Sequence, residues 1–180
     1  MIHPVRHNRR WRALLAAARV AGLLLVCLLI VIPAPAGAAG EAVIEGQATV
    51  IDGDTIEIHG QRIRLHGIDA PEARQTCERN GQPYRCGQQA AMVLADMIGR
   101  RTVLCEAPGG ETLGRDRYGR VIGRCRAGGR DLGEALVAAG WAVAYRRYSR
   151  DYVPAEKEAQ RLGAGIWAGR FEMPAEFRKR

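Results

Sequence analysis

From Ile44 to His66 the chain swings between apolar and polar residues at nearly every step. Ile44, Ala48 and Val50 alternate with Glu45, Gln47 and Thr49; Ile56 and Ile58 with Thr55, Glu57 and His59; Ile63 and Leu65 with Arg62, Arg64 and His66. A period of two sends alternate side chains to opposite faces of a strand, so residues 42–69 must form sheet with one buried and one wet face. They read as three strands. Gly60-Gln61 predicts a two-residue turn with glycine at its first central position. That register pairs His59 with Arg62, Glu57 with Arg64 and Thr55 with His66, and then sets Asp54 opposite Gly67. Asp69 falls close by, so two carboxylates converge at one end of a hairpin.

Further along, Ala90, Val93, Leu94, Met97 and Ile98 keep helical spacing, with Gly99 as the stop. Arg101 to Glu106 and Val121 to Arg126 read as strands, separated by a Pro/Gly-rich turn and the run Arg115-Asp116-Arg117-Tyr118-Gly119-Arg120. Asp131 and Glu134 have the spacing of a capping box for a helix through Ala139, closed by Gly140. Pro154 opens a last helix through Leu162, and Trp167 follows. The expected fold is α+β and mainly β: a five-stranded Greek-key barrel of the oligonucleotide-binding type with about three packed helices.

Residues 1–39 read as an export signal, with residues 40–180 as the mature domain. The first 38 hold Arg6, Arg9, Arg10, Arg12 and Arg19 and no acid. Val20 to Ile32 is apolar, and Pro33-Ala34-Pro35-Ala36-Gly37-Ala38 ends in the small-x-small pattern of a cleavage site. Arg19 interrupts the apolar run, which is short for a ~20-residue span. An uncleaved anchor, with Ala13 to Ala18 also in the bilayer, is the alternative. The expected location is the periplasm or the medium; otherwise the chain is anchored facing outward. Of 27 Lys and Arg against 19 Asp and Glu, the segment takes five, leaving a mildly basic domain far from a histone-like tail. Its cations are nearly all arginine, whose planar fork suits bidentate phosphate contact.

Export changes the meaning of the cysteines. Cys27 leaves with the signal, and Cys77, Cys86, Cys105 and Cys125 remain for an oxidising compartment. Four cysteines allow three pairings. Pairing 77 with 86 and 105 with 125 is expected, stabilising by roughly 3 kcal/mol per bridge. Clustered zinc spacings do not occur in the sequence.

Three blocks carry a resemblance. Val50-Ile51-Asp52-Gly53-Asp54-Thr55, Arg64-Leu65-His66-Gly67-Ile68-Asp69-Ala70-Pro71-Glu72 and Asp116-Arg117-Tyr118-Gly119-Arg120 resemble the signature blocks of the staphylococcal nuclease (thermonuclease) family. The likeness runs from about residue 43 to 168. It implies an oligonucleotide-binding barrel that cleaves DNA and RNA phosphodiesters with Ca²⁺. It implies Asp54 and Asp69 as metal carboxylates, with the Ala70 carbonyl as a third protein ligand, a hard-oxygen set that calcium accepts. Glu72 resembles the proposed general base, with a metal-bound hydroxide as the rival nucleophile. Arg64 and Arg120 resemble the two phosphate arginines, although Arg64 paired with Glu57 across the hairpin is a structural rival.

The same likeness makes Asp116 a brace of the metal-side loop and puts Tyr118 near the nucleotide phosphate. Tyr145 matches a base-pocket tyrosine. Arg147 falls where the next pocket tyrosine aligns, with Tyr148 one residue on. Asp52 reads as a turn former, and His59 and His66 as surface strand residues. Arg146 and Arg147 read as residues that track the nucleic-acid strand. The implied activity is that of an exported, calcium-dependent nuclease of low sequence specificity, acting as a monomer with no obligatory protein partner. A barrel that binds nucleic acid without cutting it, and an anchored calcium-binding or adaptor module, are the alternatives.

Overall fold

The computed structural model describes residues 42–110 and 112–180. The export signal and Cys27 lie outside the described residues. The alternating stretch, expected as three strands, forms five: β1 (Val43–Gly46), β2 (Thr49–Val50), β3 (Thr55–Ile58), β4 (Gln61–Leu65) and β5 (Ile68–Asp69). A hairpin follows, β6 (Cys77–Arg79) and β7 (Gln82–Tyr84), then helix α1 (Cys86–Ile98). After it come β8 (Val103–Glu106), β9 (Val121–Ala127), β10 (Arg130–Asp131) and α2 (Leu132–Ala138). The chain closes with β11 (Val143–Ala144), α3 (Val153–Leu162), a 3-10 turn (Gly165–Ala168) and α4 (Pro174–Phe177). The described residues thus hold four α-helices where the sequence predicts about three; α4 has too little apolar periodicity to announce itself.

The main sheet runs β1-β8-β9-β4-β3-β2, with β10 paired to β9. It is mixed, because β4 and β9 are parallel while the other pairings are antiparallel. In β9 burial alternates residue by residue, putting Val121, Gly123, Cys125 and Ala127 inside. Ile56, Ile58, Ile63 and Leu65 from the hairpin join Leu94 and Ile98 of α1 and Leu132 and Leu136 of α2 in one core. Each such side chain contributes about 1.5–3 kcal/mol by leaving water.

The hairpin register differs from the expected one. Thr55 pairs with Arg64, Glu57 with Arg62 and Ile58 with Gln61, so the turn is His59-Gly60 rather than Gly60-Gln61. Both turn residues have positive φ, 52° and 76°. That turn follows the twist of the strands it joins, and a histidine tolerates the left-handed region better than most side chains. A shift by two leaves every side chain on its expected face but changes its neighbour. Glu57 faces Arg62, and Arg64 is delivered to Thr55, beside Asp54.

Both disulfides take the expected pairing, Cys77–Cys86 and Cys105–Cys125. The second joins directly paired residues of β8 and β9. The first ties the β6–β7 hairpin to the first residue of α1.

Asp131 caps α2 by accepting from the Glu134 amide. Pro154 sits in the first turn of α3, where its missing amide costs nothing. Glu156 of α3 is buried, accepts from the Ala144 amide at 3.0 Å and is ion-paired with Arg146. Arg146 thus neutralises an internal carboxylate, a partner that the sequence does not announce. Arg146→Ala strands that charge and should cost about 1–3 kcal/mol, below the usual range for a buried pair because Arg146 is half exposed. Glu156→Gln should cost less. Urea unfolding of the two variants checks the order.

Candidate active site

Asp54 lies in the turn from β2 to β3. Its amide donates to Asp52 Oδ1 at 3.0 Å, which gives Asp52 the turn-forming role expected of it. Gly53 makes the turn's position possible: a Cβ there would stand 2.7 Å from the Ala70 Cβ and 2.9 Å from the Ala90 Cβ. The turn therefore presses against both the β5 end and α1. Asp69 ends β5, which pairs with β11 through Asp69 and Val143. Asp54 and Asp69 are 5% and 1% exposed.

Arg64 holds the two acids together. Its Nη1 is 2.9 Å from each carboxylate oxygen of Asp54, and its Nη2 is 3.0 Å from Asp69 Oδ1. The rival pairing with Glu57 does not form, because Glu57 lies opposite Arg62. The Ala70 amide also reaches Asp54 Oδ2 at 3.3 Å. Burial pushes the Asp54 carboxyl up to about 6; Arg64 opposes the rise, and Asp52 and Asp69 add to it. Burial alone would lower the Arg64 guanidinium, but Asp54 and Asp69 hold it above its ordinary value.

Arg120 precedes β9, whose parallel pairing with β4 sets it on the same side as Arg64. Asp116 fixes it, accepting from Arg120 Nε at 2.9 Å and from the Arg120 and Tyr118 amides at 3.0 and 2.9 Å. Asp116 thus braces Arg120, not the metal-side loop. Partial burial would raise the Asp116 carboxyl, but these bonds hold it below the usual range. Arg120 Nη1 donates to Thr55 Oγ1 at 3.2 Å, and Thr55 Oγ1 donates to Asp54 Oδ1 at 3.1 Å. Tyr118 is exposed beside Arg120, its ring centroid 5.5 Å from the guanidinium carbon. The two line a groove of ≈ 450 Å³ with Gly60, Gln61, Arg62 and Arg115.

Glu72 follows Pro71 on the loop after β5. Gly87 of α1 packs so closely that a Cβ would fall 1.8 Å from the Glu72 carbonyl oxygen. Tyr145 lies just after β11, its amide bonded to the Gly67 carbonyl at 2.8 Å and its ring 6.0 Å from the Arg64 guanidinium carbon. Tyr148 is exposed, meets Tyr145 edge-on at 5.1 Å, and has Arg147 over its ring at 5.8 Å. His59 sits in the hairpin turn with a ring nitrogen 3.1 Å from the Glu45 carbonyl oxygen.

Two participants escape a reading of the sequence. Gln75, fully buried, accepts from the Glu72 amide through Oε1 at 3.1 Å. Its place three residues after Glu72 is a weak signal. Arg178 Nη1 donates to Glu72 Oε1 at 2.7 Å and to Asp69 Oδ1 at 2.9 Å, from more than a hundred residues away, and nothing in the sequence announces it.

Among the described residues no group of three or more His, Cys, Asp or Glu side chains stands at metal-binding spacing. Asp54 and Asp69 instead offer two buried hard carboxylates bridged by Arg64, with Arg178 also on Asp69. That donor set suits a cation that completes its shell with backbone carbonyl, water and substrate oxygens.

The pH behaviour of the metal-free protein follows from Asp54. Its native value exceeds the unfolded 3.8, so it stabilises the fold increasingly as pH falls from about 6 and costs stability above that. Asp54→Asn should melt above the wild type at pH 7.5, with the margin roughly halved at pH 5 and closed only below the unfolded value of 3.8. Calorimetric scans in chelator check this; a margin constant with pH refutes it.

A model of the staphylococcal nuclease homologue family matches residues 62–169. The chain is 44% identical over 156 residues to the succinoglycan biosynthesis protein ExoI of Rhizobium meliloti, covering 84% of this chain and 77% of that protein. It is 32% identical over 134 residues to the probable endonuclease LCL3 of Schizophyllum commune, covering 63% of this chain and 43% of that one. An uncharacterized endonuclease of Haemophilus influenzae is 30% identical over 115 residues, with 62% and 57% covered. On the family match and the span shared with ExoI, this chain belongs to the staphylococcal nuclease homologue family.

Proposed function

We propose that the chain is an exported, calcium-dependent nuclease that hydrolyses phosphodiester bonds in DNA and RNA with little sequence preference. The observation that carries this reading is the linkage of Asp54, Asp69, Arg64, Arg120 and Glu72 into one cluster of ion pairs and hydrogen bonds. The family assignment and the endonuclease names of two relatives support a nuclease at the coarse level. The barrel of the oligonucleotide-binding type is part of the proposal. It is supported by β1 and β3, the outer parts of the sheet path, coming into contact as the sheet curls.

On this reading Asp54, Asp69 and the Ala70 carbonyl hold calcium. When bound, the ion supplies Lewis-acid polarisation of a phosphoryl oxygen. Glu72 orients or deprotonates the attacking water from the loop pinned over Gly87. Arg120, preset by Asp116, presents its cation to the phosphate at the mouth of the Tyr118 groove. Arg64 does the same from the acid side. Both stay charged at any working pH, and their forks match two phosphoryl oxygens. Tyr145, Tyr148 and Arg147 offer ring and cation faces to a base without reading its edge, consistent with low specificity.

ExoI carries a polysaccharide-biosynthesis name, so a barrel that binds without cutting is the second reading. Purified protein should degrade plasmid DNA and RNA with calcium and not with chelator. Asp54→Ala and Asp69→Ala should abolish cleavage while leaving the fold intact. Arg64→Lys and Arg120→Lys should each lower kcat by about 10²-fold with a smaller change in KM. Undiminished calcium-dependent cleavage by Asp54→Ala would falsify the assignment. The mass of the exported protein distinguishes a cleaved signal from an anchor.

A further inference from the structure

Residues 170–180 lie beyond the stretch that matches the family, yet they are docked against the acid cluster. The dock is fastened along its length. Glu78 and Arg170 exchange backbone hydrogen bonds of 2.8 and 2.9 Å. Gly169 permits that approach, since a Cβ there would stand 1.9 Å from the Glu78 carbonyl oxygen. Phe171 meets Trp167 edge-on at 4.9 Å. Gln75 Nε2 donates to the Glu172 carbonyl at 2.7 Å while Oε1 accepts from the Glu72 amide. A single buried amide therefore ties this arm to the loop that carries Glu72. Pro174, buried, opens α4, and Arg178 follows its last turn.

From that position Arg178 spans two carboxylates. Nη1 and Nη2 lie 2.9 and 2.8 Å from the two oxygens of Asp69, and Nη1 also reaches Glu72 Oε1 at 2.7 Å. The Glu72 side chain is itself 36% exposed, and among the described residues Arg178 is its ion-pair partner. Without that partner a long carboxylate on a loop samples several rotamers, and holding one of them has an entropic cost. A planar fork with both carboxylates in its reach fixes the distance between them, which a single ammonium cannot do.

We infer that Arg178 is a positioning residue of the active site, which bridges Asp69 and Glu72 and so fixes the Glu72 carboxylate relative to the paired aspartates. The inference rests on the proposed nuclease reading and deepens it. The arm supplies a third arginine to the site, and its task is geometry. The opposite role for the same contact is a plug, in which Arg178 competes with a cation for Asp69.

The two roles separate in the full-length protein. Wild type, Arg178→Gln, Arg178→Lys and the control Lys179→Gln are compared on a short single-stranded DNA at saturating calcium. Calcium affinity by calorimetry and melting temperature are measured alongside. Lys179 pairs with Glu176 at the surface, so its loss should leave every readout unchanged. Arg178→Gln should lower kcat by about tenfold or more with KM changed less than about threefold. Calcium should bind no more weakly, and the melting temperature should stay within a few degrees. Arg178→Lys should recover only part of the rate. A kcat for Arg178→Gln equal to or above wild type, with tighter calcium binding, makes the arm a plug and overturns the inference. A fall in kcat matched by a large loss of melting temperature also overturns it, reducing Arg178 to a structural prop. Failure of the nuclease reading looks different: the wild type itself does not cut, or Asp54→Ala cuts as well as wild type.

Discussion

Two carboxylates buried side by side are an unstable arrangement, and the site is built around containing it. Asp54 and Asp69 lose their water and repel each other, which is why burial and mutual charge together raise the Asp54 carboxyl. Arg64 is the internal counter-ion that makes the pair tolerable. Its place follows from the hairpin register: the His59-Gly60 turn sets Arg64 beside Thr55, one residue from Asp54. The expected register would have put Arg64 opposite Glu57, as an exposed strand pair worth ~0–1 kcal/mol. The turn's backbone conformation thus decides whether a guanidinium reaches the acids.

Much of this was legible in the alternation of residues 44–66, since face assignment depends only on parity. The strands β3, β4, β8 and β9, the convergence of Asp54 and Asp69, α1 ending at Gly99 and the Asp131 cap of α2 follow from local rules of that kind, whereas β6, β7, β10 and β11 do not. Register is a different matter, because neighbouring turn dipeptides preserve the same parity and only backbone twist chooses between them. Asp116 was placed near the site but assigned the wrong neighbour, since its partner Arg120 is set by the parallel pairing of β4 and β9. The pairing of Arg146 with Glu156 is not legible in the sequence, because the buried position of Glu156 is a tertiary fact. Arg178 and Gln75 were invisible for the same reason: they act across contacts that no local period encodes.

The polar groups of the site form one connected set. Asp116 holds Arg120, Arg120 touches Thr55, Thr55 touches Asp54, Arg64 links Asp54 to Asp69, and Arg178 links Asp69 to Glu72. Such networks are rigid when every member is satisfied and costly when one is removed. The scaffold beneath is correspondingly tight, with Gly53 and Gly87 each at a place where a methyl group would collide with a neighbour of the site. On the proposed reading, substitutions at these glycines would act on catalysis by moving Asp54 or Glu72, without touching either side chain's chemistry.

The charge balance of that set bears on what it can hold. It contains four carboxylates, Asp54, Asp69, Glu72 and Asp116, and three guanidiniums, Arg64, Arg120 and Arg178. With every group ionised it carries one net negative charge, concentrated where Asp54 and Asp69 meet. On the proposed reading a divalent cation would be drawn in, and once held it would leave the site with one net positive charge. That matches the single negative charge of a phosphodiester, and leaves arginines on both flanks for the second charge that develops as water attacks. Arg178 is already paired with Asp69 and Glu72, so on the proposed reading it sets the spacing of those carboxylates and leaves the attraction for the phosphate to Arg64 and Arg120.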